Sequence, residues 1–408
     1  MKEIFQFSIL GLGEGSLIAG VAIALVLFYR GSGVINLATG AIAMITGYSF
    51  YALKTGELGT EFGTAPALLI TLALAIAIGL LMELAAFRPL RAAPPLAKLI
   101  ATLGFFLFAQ AGVLLAFGPD ERSQPAILPQ GSFEVFGAPV GVDQIILAGT
   151  VLVVAIALTA VYRYTGFGLR TRAAAENEAS AMYVGLYPQT LSLINTVLGA
   201  VIAGMLGVLA APLITLNSTT FPLLVVPALA AALFARFTSF VIAALVGLAL
   251  GAMQNIIYYL STLSWFPTTN GSAVGGVGDL VIFLLIVLAM FWMGGRLPGR
   301  GDIVERRLPE VPKAQNIGRW AAIALAVGVV ALTVLPYGPR QALMTSLIGV
   351  VLALSLVVIT GFVGQVSVVQ LALSGGTGFL MSILATKDRK STRLNSSHSV
   401  TSRMPSSA

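Results

Sequence analysis

Stretches of about twenty almost wholly apolar residues recur along this chain, each long enough to cross a bilayer as a helix. In hydrocarbon every backbone N–H and C=O must be satisfied internally, which leaves only helices or a closed barrel. Runs of this length without strict alternation are helical. The first extends from Phe7 to Tyr29, and others fall at about 33–53, 65–86, 96–117, 143–163, 189–211, 222–235, 238–260 and 279–293. Three more follow at about 318–335, 341–360 and 365–385. The expectation is an all-α, polytopic integral membrane protein with about twelve transmembrane helices. Composition agrees: 10% of residues are charged, against roughly 25% in soluble domains. The first run lacks a charged leader and a small-residue cleavage site, so it reads as a span and not as a cleavable signal.

Orientation follows from the basic residues. With the N-terminus outside, the inner loops hold Arg30, then Arg88, Arg91 and Lys98, then Arg163, Arg170 and Arg172, then Arg236, and finally the arginines and lysine of 296–319. The outer side holds only Lys2, Lys54, Arg122 and Arg340. This requires the short 222–235 run to count as a full span, since a re-entrant segment there would carry the basic 296–319 stretch outside. The formal charge of +7 is scattered over short loops without a patch of stacking aromatics, so no nucleic-acid partner is expected. The lipid bilayer is the first partner.

One segment between two apolar runs is different. Leu169 to Pro188 reads LRTRAAAENEASAMYVGLYP. Arg170, Arg172, Glu176 and Glu178 would each cost about 2.5–3.5 kcal/mol at the centre of a bilayer, so the segment lies in water. Ala175, Ala179, Met182 and Leu186 recur at helical spacing and mark a narrow apolar stripe, with Gly185 and Pro188 as stop signals. The cytoplasmic location given by the basic residues makes it a short amphipathic helix open to contact from the inner face. An ordinary solvated connector is the plain alternative.

Glu178-Ala179, then Ala181 and Gly185, resembles the cytoplasmic loop of ABC importer permeases, whose coupling helix sits in a groove of the ATPase subunit. The longer run from Arg170 through Glu176-Asn177-Glu178 to Gly185-Leu186 is similar to permeases of the branched-chain amino-acid uptake family. That resemblance implies that Arg172, Glu176, Glu178 and Ala179 form the ATPase contact and that Gly185 ends the helix. Ala230 to Phe240 also resembles the family, without a role that its residues reveal.

The chain repeats itself. Ser16-Leu17-Ile18 through Gly31 matches Ser346-Leu347-Ile348 through Gly361 in length and character, and each is followed by a variant of one motif. The variants are Gly33-Val34-Ile35-Asn36-Leu37 and Gly364-Gln365-Val366-Ser367-Val368. Gly33 and Gly364 read as sites of close helix packing. Asn36 and Thr39, and Ser367 in the second copy, are candidates for lining the translocation path, because a polar side chain within a span needs water or a partner. Both motifs again resemble the branched-chain amino-acid permeases. Nine spans from an outside start end inside, so the run 318–335 returns the chain outward and the second copy begins in the same sense as the first. The repeat is therefore parallel. The expected organisation is a first permease copy over 1–293, a Gly- and Pro-rich cytoplasmic linker over 294–317, and the start of a second copy over 318–385. The Ser-rich, aperiodic 386–408 tail breaks off that copy and reads as truncated or out of frame. It carries the only histidine, His398.

Several chemistries are excluded. The chain has no cysteine, so disulfides, thiolate metal sites and Cys nucleophiles are ruled out. No Gly-x-x-x-x-Gly-Lys-Ser/Thr sequence occurs, so ATP hydrolysis falls to partner subunits. Gly11-Leu12-Gly13-Glu14-Gly15 follows no strand and precedes no lysine, so it is not a nucleotide loop. No cofactor, metal or catalytic residue is expected. Glu14 and Glu83 lie near span ends, where snorkelling or capping explains them better than a proton relay. The external 118–142 loop is a candidate docking surface for an extracellular or periplasmic substrate-binding protein. The expected function is that of the permease of an ABC importer, working with two ATPase subunits in the inner or plasma membrane. The resemblance implies branched-chain or related amino acids as cargo. A sugar or nucleoside permease and, more remotely, an ion-coupled secondary transporter are the alternatives.

Overall fold

The computed structural model describes residues 2–293 apart from isolated loop positions, together with 317–359, 373–382 and 384. It forms two compact units, Met1–Glu305 and Arg306–Ala408. The expected linker up to residue 316, the motif residues Gly364 and Ser367, and the 386–408 tail lie outside the described residues.

In the first unit, helices stand where the apolar runs are. They are α1 (Lys2–Leu10), α2 (Leu12–Ser32), α3 (Thr39–Thr55), α4 (Thr64–Leu81, continuing as a π-helix over Met82–Phe87), α5 (Pro95–Phe117) and α6 (Val142–Tyr164). Then come α7 (Gly166–Glu176), α8 (Glu178–Tyr183), α9 (Pro188–Ala210), α10 (Val225–Phe234) preceded by a 3-10 turn over Phe221–Leu224, α11 (Phe240–Ser261) and α12 (Val277–Met293). Two small antiparallel hairpins, β1 (Ser132–Val135) with β2 (Ala138–Gly141) and β3 (Thr268–Thr269) with β4 (Ser272–Ala273), sit in loops and form no larger sheet. The fold is all-α and polytopic. Among the described residues, seven helical stretches are long and apolar enough to span. The other apolar runs give shorter helices, so the expected count of twelve is not reached on helix length and composition alone.

The central element is α2, in which every residue from Gly15 to Phe28 is buried. It packs against α6, α9, α10 and α11. The glycines of 11–15 explain its tightest contact. A Cβ on Gly11 would lie 2.5 Å from the Gly251 carbonyl oxygen, and one on Gly15 would lie 2.8 Å from that of Leu248. Gly247 meets Ala19 and Gly251 meets Gly15 with no more room. Two small-x-x-x-small faces therefore interlock backbone to backbone, which is how helices associate where lipid removes the hydrophobic drive.

In the second unit, α13 (Ile317–Val334) and α14 (Tyr337–Val358) are joined by a two-residue turn, and residues 373–382 are helical. Leu347 and Ile348 are 40% and 58% exposed, whereas their repeat counterparts Leu17 and Ile18 are fully buried.

Candidate functional site

Three groups of residues carry the chemistry. The first is at the end of the bundle where α2 and α6 stop and α7 begins. The charged segment is two helices and not the single one expected. Asn177 is extended (φ −149°, ψ 106°), ends α7, and caps α8 by accepting a hydrogen bond from the Ser180 N–H at 2.9 Å. At the far end of α8, Gly185 adopts φ +79°. Its N–H donates to the Met182 carbonyl and that of Leu186 to the Ala181 carbonyl, each at 3.0 Å, which closes the helix as a Schellman motif. The break rotates the faces. Ala174 and Ala181 are buried together against Leu191, with Leu186 alongside. Met182, expected on the buried stripe with Ala175 and Ala179, is 57% exposed, and its neighbours Tyr183 and Val184 are 90% and 75% exposed.

The candidate coupling residues do not share one surface. Glu176 and Ala179 are exposed. Glu178 is half-buried in an ion pair with Arg91, and nearby Arg88 donates to the Gln189 side chain at 3.0 Å. Arg172 lines a separate cavity with Arg30 and Arg163. Arg30 lies against the rings of Tyr162 and Phe240, its guanidinium carbon 4.9 and 4.8 Å from their centroids, and donates to the Thr238 carbonyl. The turn that offers this carbonyl holds Arg236 and Phe237 at φ +52°, an uncommon conformation for two successive non-glycine residues. Phe237 is anchored there by burial and by its contact with Tyr29.

The second group is in the interior, where two segments are interrupted. Gly33 ends α2 at φ +73°, its N–H bonded to the Tyr29 carbonyl at 2.8 Å. This left-handed backbone conformation by itself favours glycine at the position. The non-helical chain then leads to α3, and Ala38 just before it and Ala41 in its first turn pack with Ala24, Phe28, Ala200 and Ala203 of α2 and α9. Asn36 and Thr39, the two path candidates, are fully buried here. The Asn36 side chain accepts from the Ala38 N–H at 3.0 Å, Thr39 donates to the Asn36 carbonyl at 2.7 Å, and Thr102 accepts from the Leu37 N–H at 3.3 Å. The second interruption precedes α10. Tyr48 donates to the Leu216 carbonyl at 3.0 Å and Gln110 to that of Ser218 at 3.1 Å. Helix resumes at Phe221, so the expected 222–235 span is a short helical stretch, Phe221–Phe234, with irregular chain ahead of it. The two interruptions touch where Gly40 meets the Pro222 backbone.

Glu83 also departs from expectation. It lies on the π-helical end of α4, is only 3% exposed, and accepts a hydrogen bond from Thr196 on α9 at 2.8 Å. It does not snorkel. Pairing across helices placed it, a signal absent from its local sequence. Thr102, Thr196, Arg30 and Arg91 were likewise not singled out by pattern, because each acquires its role only from a partner distant in the chain.

The third group is at the opposite end, where Arg122 ties the 118–131 loop to the chain before α10. It pairs with Glu57 at 2.9 Å, donates to the Phe117 carbonyl at 3.1 Å, and forms a two-way backbone bridge with Leu216. A hydrogen bond that it donates to the Tyr51 hydroxyl and then the Glu57 carboxylate raise its pKa above the ordinary arginine value. Glu121 accepts from Thr215 at 3.2 Å and Asn217 at 3.1 Å. At this end of α2, Glu14 lines a cavity of about 580 Å³ with Gln254, Asn255 and Phe266. Among the described residues no three His, Cys, Asp or Glu side chains converge as a metal site would require.

Spanning helices around a sheathed α2, polar groups closed up where two of them are interrupted, and a capped helix pair at one end define a polytopic membrane permease. Residues 8–290 match the family described as branched-chain amino acid transport system, permease component, and the chain belongs to that family. It is 28% identical over 308 residues to the high-affinity branched-chain amino acid transport system permease protein LivH of Escherichia coli strain K12, covering 72% of this chain and 94% of that one. The LivH protein of Salmonella typhimurium is 27% identical over 304 residues with the same coverage. BraD of Pseudomonas aeruginosa, named for the same kind of system, is 27% identical over 221 residues, or 51% of this chain and 72% of that protein. No solved structure matches the chain.

Proposed function

We propose that this chain is the permease of an ABC importer that moves branched-chain or related amino acids inward across the inner or plasma membrane. Two separate ATPase subunits act on the face that carries α7 and α8, and a substrate-binding protein docks on the opposite, external face. The N-terminus is then outside, and Gly118–Val142 with its tied-down loop contributes to the docking surface. The observation that carries the reading is the capped α7–α8 pair at one end of the bundle. Its exposed tip, Met182, Tyr183 and Val184, is an apolar knob of the kind a partner's groove buries. Arg172, Glu176, Glu178 and Ala179 act around that knob. Glu178 exchanges its bond to Arg91 for the ATPase during the cycle, and Gly185 fixes the helix end.

Force on α8 passes directly into α9, which it contacts through Ala181 and Leu191. Since α9 holds Glu83 through Thr196 and packs on the start of α3, its movement opens the closed polar knot at Asn36 and Thr39. Those two residues then line the path, with Ser367 in the second copy. That copy begins near residue 318, and α14 takes there the place of α2. The family and the names of its relatives support amino acids over sugars or nucleosides. An ion-coupled transporter would draw on Glu83, the most buried carboxyl among the described residues.

The native chain lacks cysteine, so Tyr183→Cys introduces a single crosslinking site. Crosslinking to an ATPase subunit is expected, together with uptake of labelled leucine and not of a labelled nucleoside. Uptake that survives depletion of the ATPases would overturn the ABC assignment, and nucleoside uptake would overturn the cargo.

A further inference from the structure

The cavity at the shared end of α2 and α6 shares Arg172 with the transport reading but is given no ligand by it. It measures about 230 Å³, and three arginines, Arg30, Arg163 and Arg172, are among its lining residues, with no Asp or Glu beside them. These arginines come from three different elements: the last turn of α2, the last turn of α6 and the middle of α7. Arg30 is held in place by the two aromatic rings and the Thr238 carbonyl described above. Arg163 and Arg172 are exposed, and neither forms an ion pair with an acid among the described residues. The 22-residue α11 also begins at this wall, with Ser239 as its cap. The positive end of its dipole adds to the same field.

Three like charges brought around one small space make it attractive to an anion. Guanidinium groups match the oxygens of phosphate in pairs. We propose that this cavity binds a phosphate group. It opens where two spans end, at the depth of lipid head groups, and the 77% exposed Tyr164 stands beside it as an interfacial anchor. A phosphodiester of an anionic lipid and a soluble phosphate present the same chemistry to these arginines. Bound phosphate clamps Arg172, and with it α7, to the ends of α2 and α6. Occupancy therefore sets how freely α7 moves.

The test is lipid retention by the purified full chain, read by native mass spectrometry and by competition with fluorescent phosphatidylglycerol. The wild type is expected to hold phosphatidylglycerol at least tenfold more tightly than phosphatidylcholine, which is equally phosphorylated but zwitterionic. Arg163→Ala/Arg172→Ala should abolish that preference, and Arg163→Lys should keep part of it. Both arginines are exposed, and size-exclusion profiles of the variants check that the fold is intact. A wild type that binds inorganic phosphate at millimolar concentration, in an arginine-dependent manner, without preferring phosphatidylglycerol supports the phosphate site with a soluble source. Equal binding of both lipids together with no phosphate binding overturns the proposal, as does a preference that the double variant retains. None of these measurements depends on transport.

Discussion

The interlocked glycines of α2 and α11 give the sharpest prediction, Gly251→Ala. A Cβ at 251 would lie 2.7 Å from the Gly11 carbonyl oxygen and closer still to the Gly15 backbone. Ordinary contact between such atoms is about 3.5 Å or more. Both obstacles are main chain, so no side chain can turn aside, and the helices must separate by roughly 1 Å. A gap of that size forfeits about a quarter to a half of the dispersion energy of each facing pair. Overpacking typically costs about 1–3 kcal/mol, and the rigid backbone on both sides puts this position near the top of that range. For a unit of this size about 3 kcal/mol corresponds to a fall of roughly 5 °C in the unfolding midpoint. The assay is thermal unfolding of the detergent-solubilised chain, with Gly149→Ala as control, since nothing lies within 4 Å of a Cβ there. A Gly251→Ala midpoint equal to that of the control would refute the reasoning.

Other outcomes follow from the same geometry. Gly33→Ala must hold a side chain at φ +73°, so it should lose about 1–2 kcal/mol of stability in the same melt. Thr196→Val leaves the Glu83 carboxylate without the hydroxyl that serves it and should cost about 1–3 kcal/mol; adding Glu83→Leu should recover part of that loss. Because Arg91 and Glu178 remain partly solvated, Arg91→Ala should change stability by no more than about 1 kcal/mol. A transport rate that falls out of proportion to this change would mark the pair as part of the coupling. Asn177→Ala removes the cap of α8 and should cost about 1 kcal/mol locally, visible as faster amide exchange over residues 178–183.

The spans were legible because twenty apolar residues in hydrocarbon admit few conformations, and α5, α6, α9 and α11 begin and end within a few residues of the expected runs. What escaped was set by partners. The same Gly11–Gly15 stretch that fails as a nucleotide loop is a small-x-x-x-small motif, and its complement at Gly247 and Gly251 is printed in the sequence. The motif was readable, but which two helices it would join was not. The break at Asn177 had a local signal, an asparagine followed by an acidic first turn, yet the Ala-rich run on either side favours a continuous helix. Asn36 and Thr39 stood out as polar residues in apolar surroundings. Their closure into a buried knot depends on Thr102 and on the chain before α10, which no local pattern connects to them.

The sheathing of α2 has a consequence for how the protein is made. This helix is translated more than two hundred residues ahead of the seam on α11 that covers it. At about 5–20 residues per second, its glycine-lined side spends roughly 10–50 s without its mate. During that interval some other agent, a lipid acyl chain or an insertion factor, must occupy the groove and then yield it. A segment synthesised long before its mate thus reaches its final surroundings only when that mate arrives.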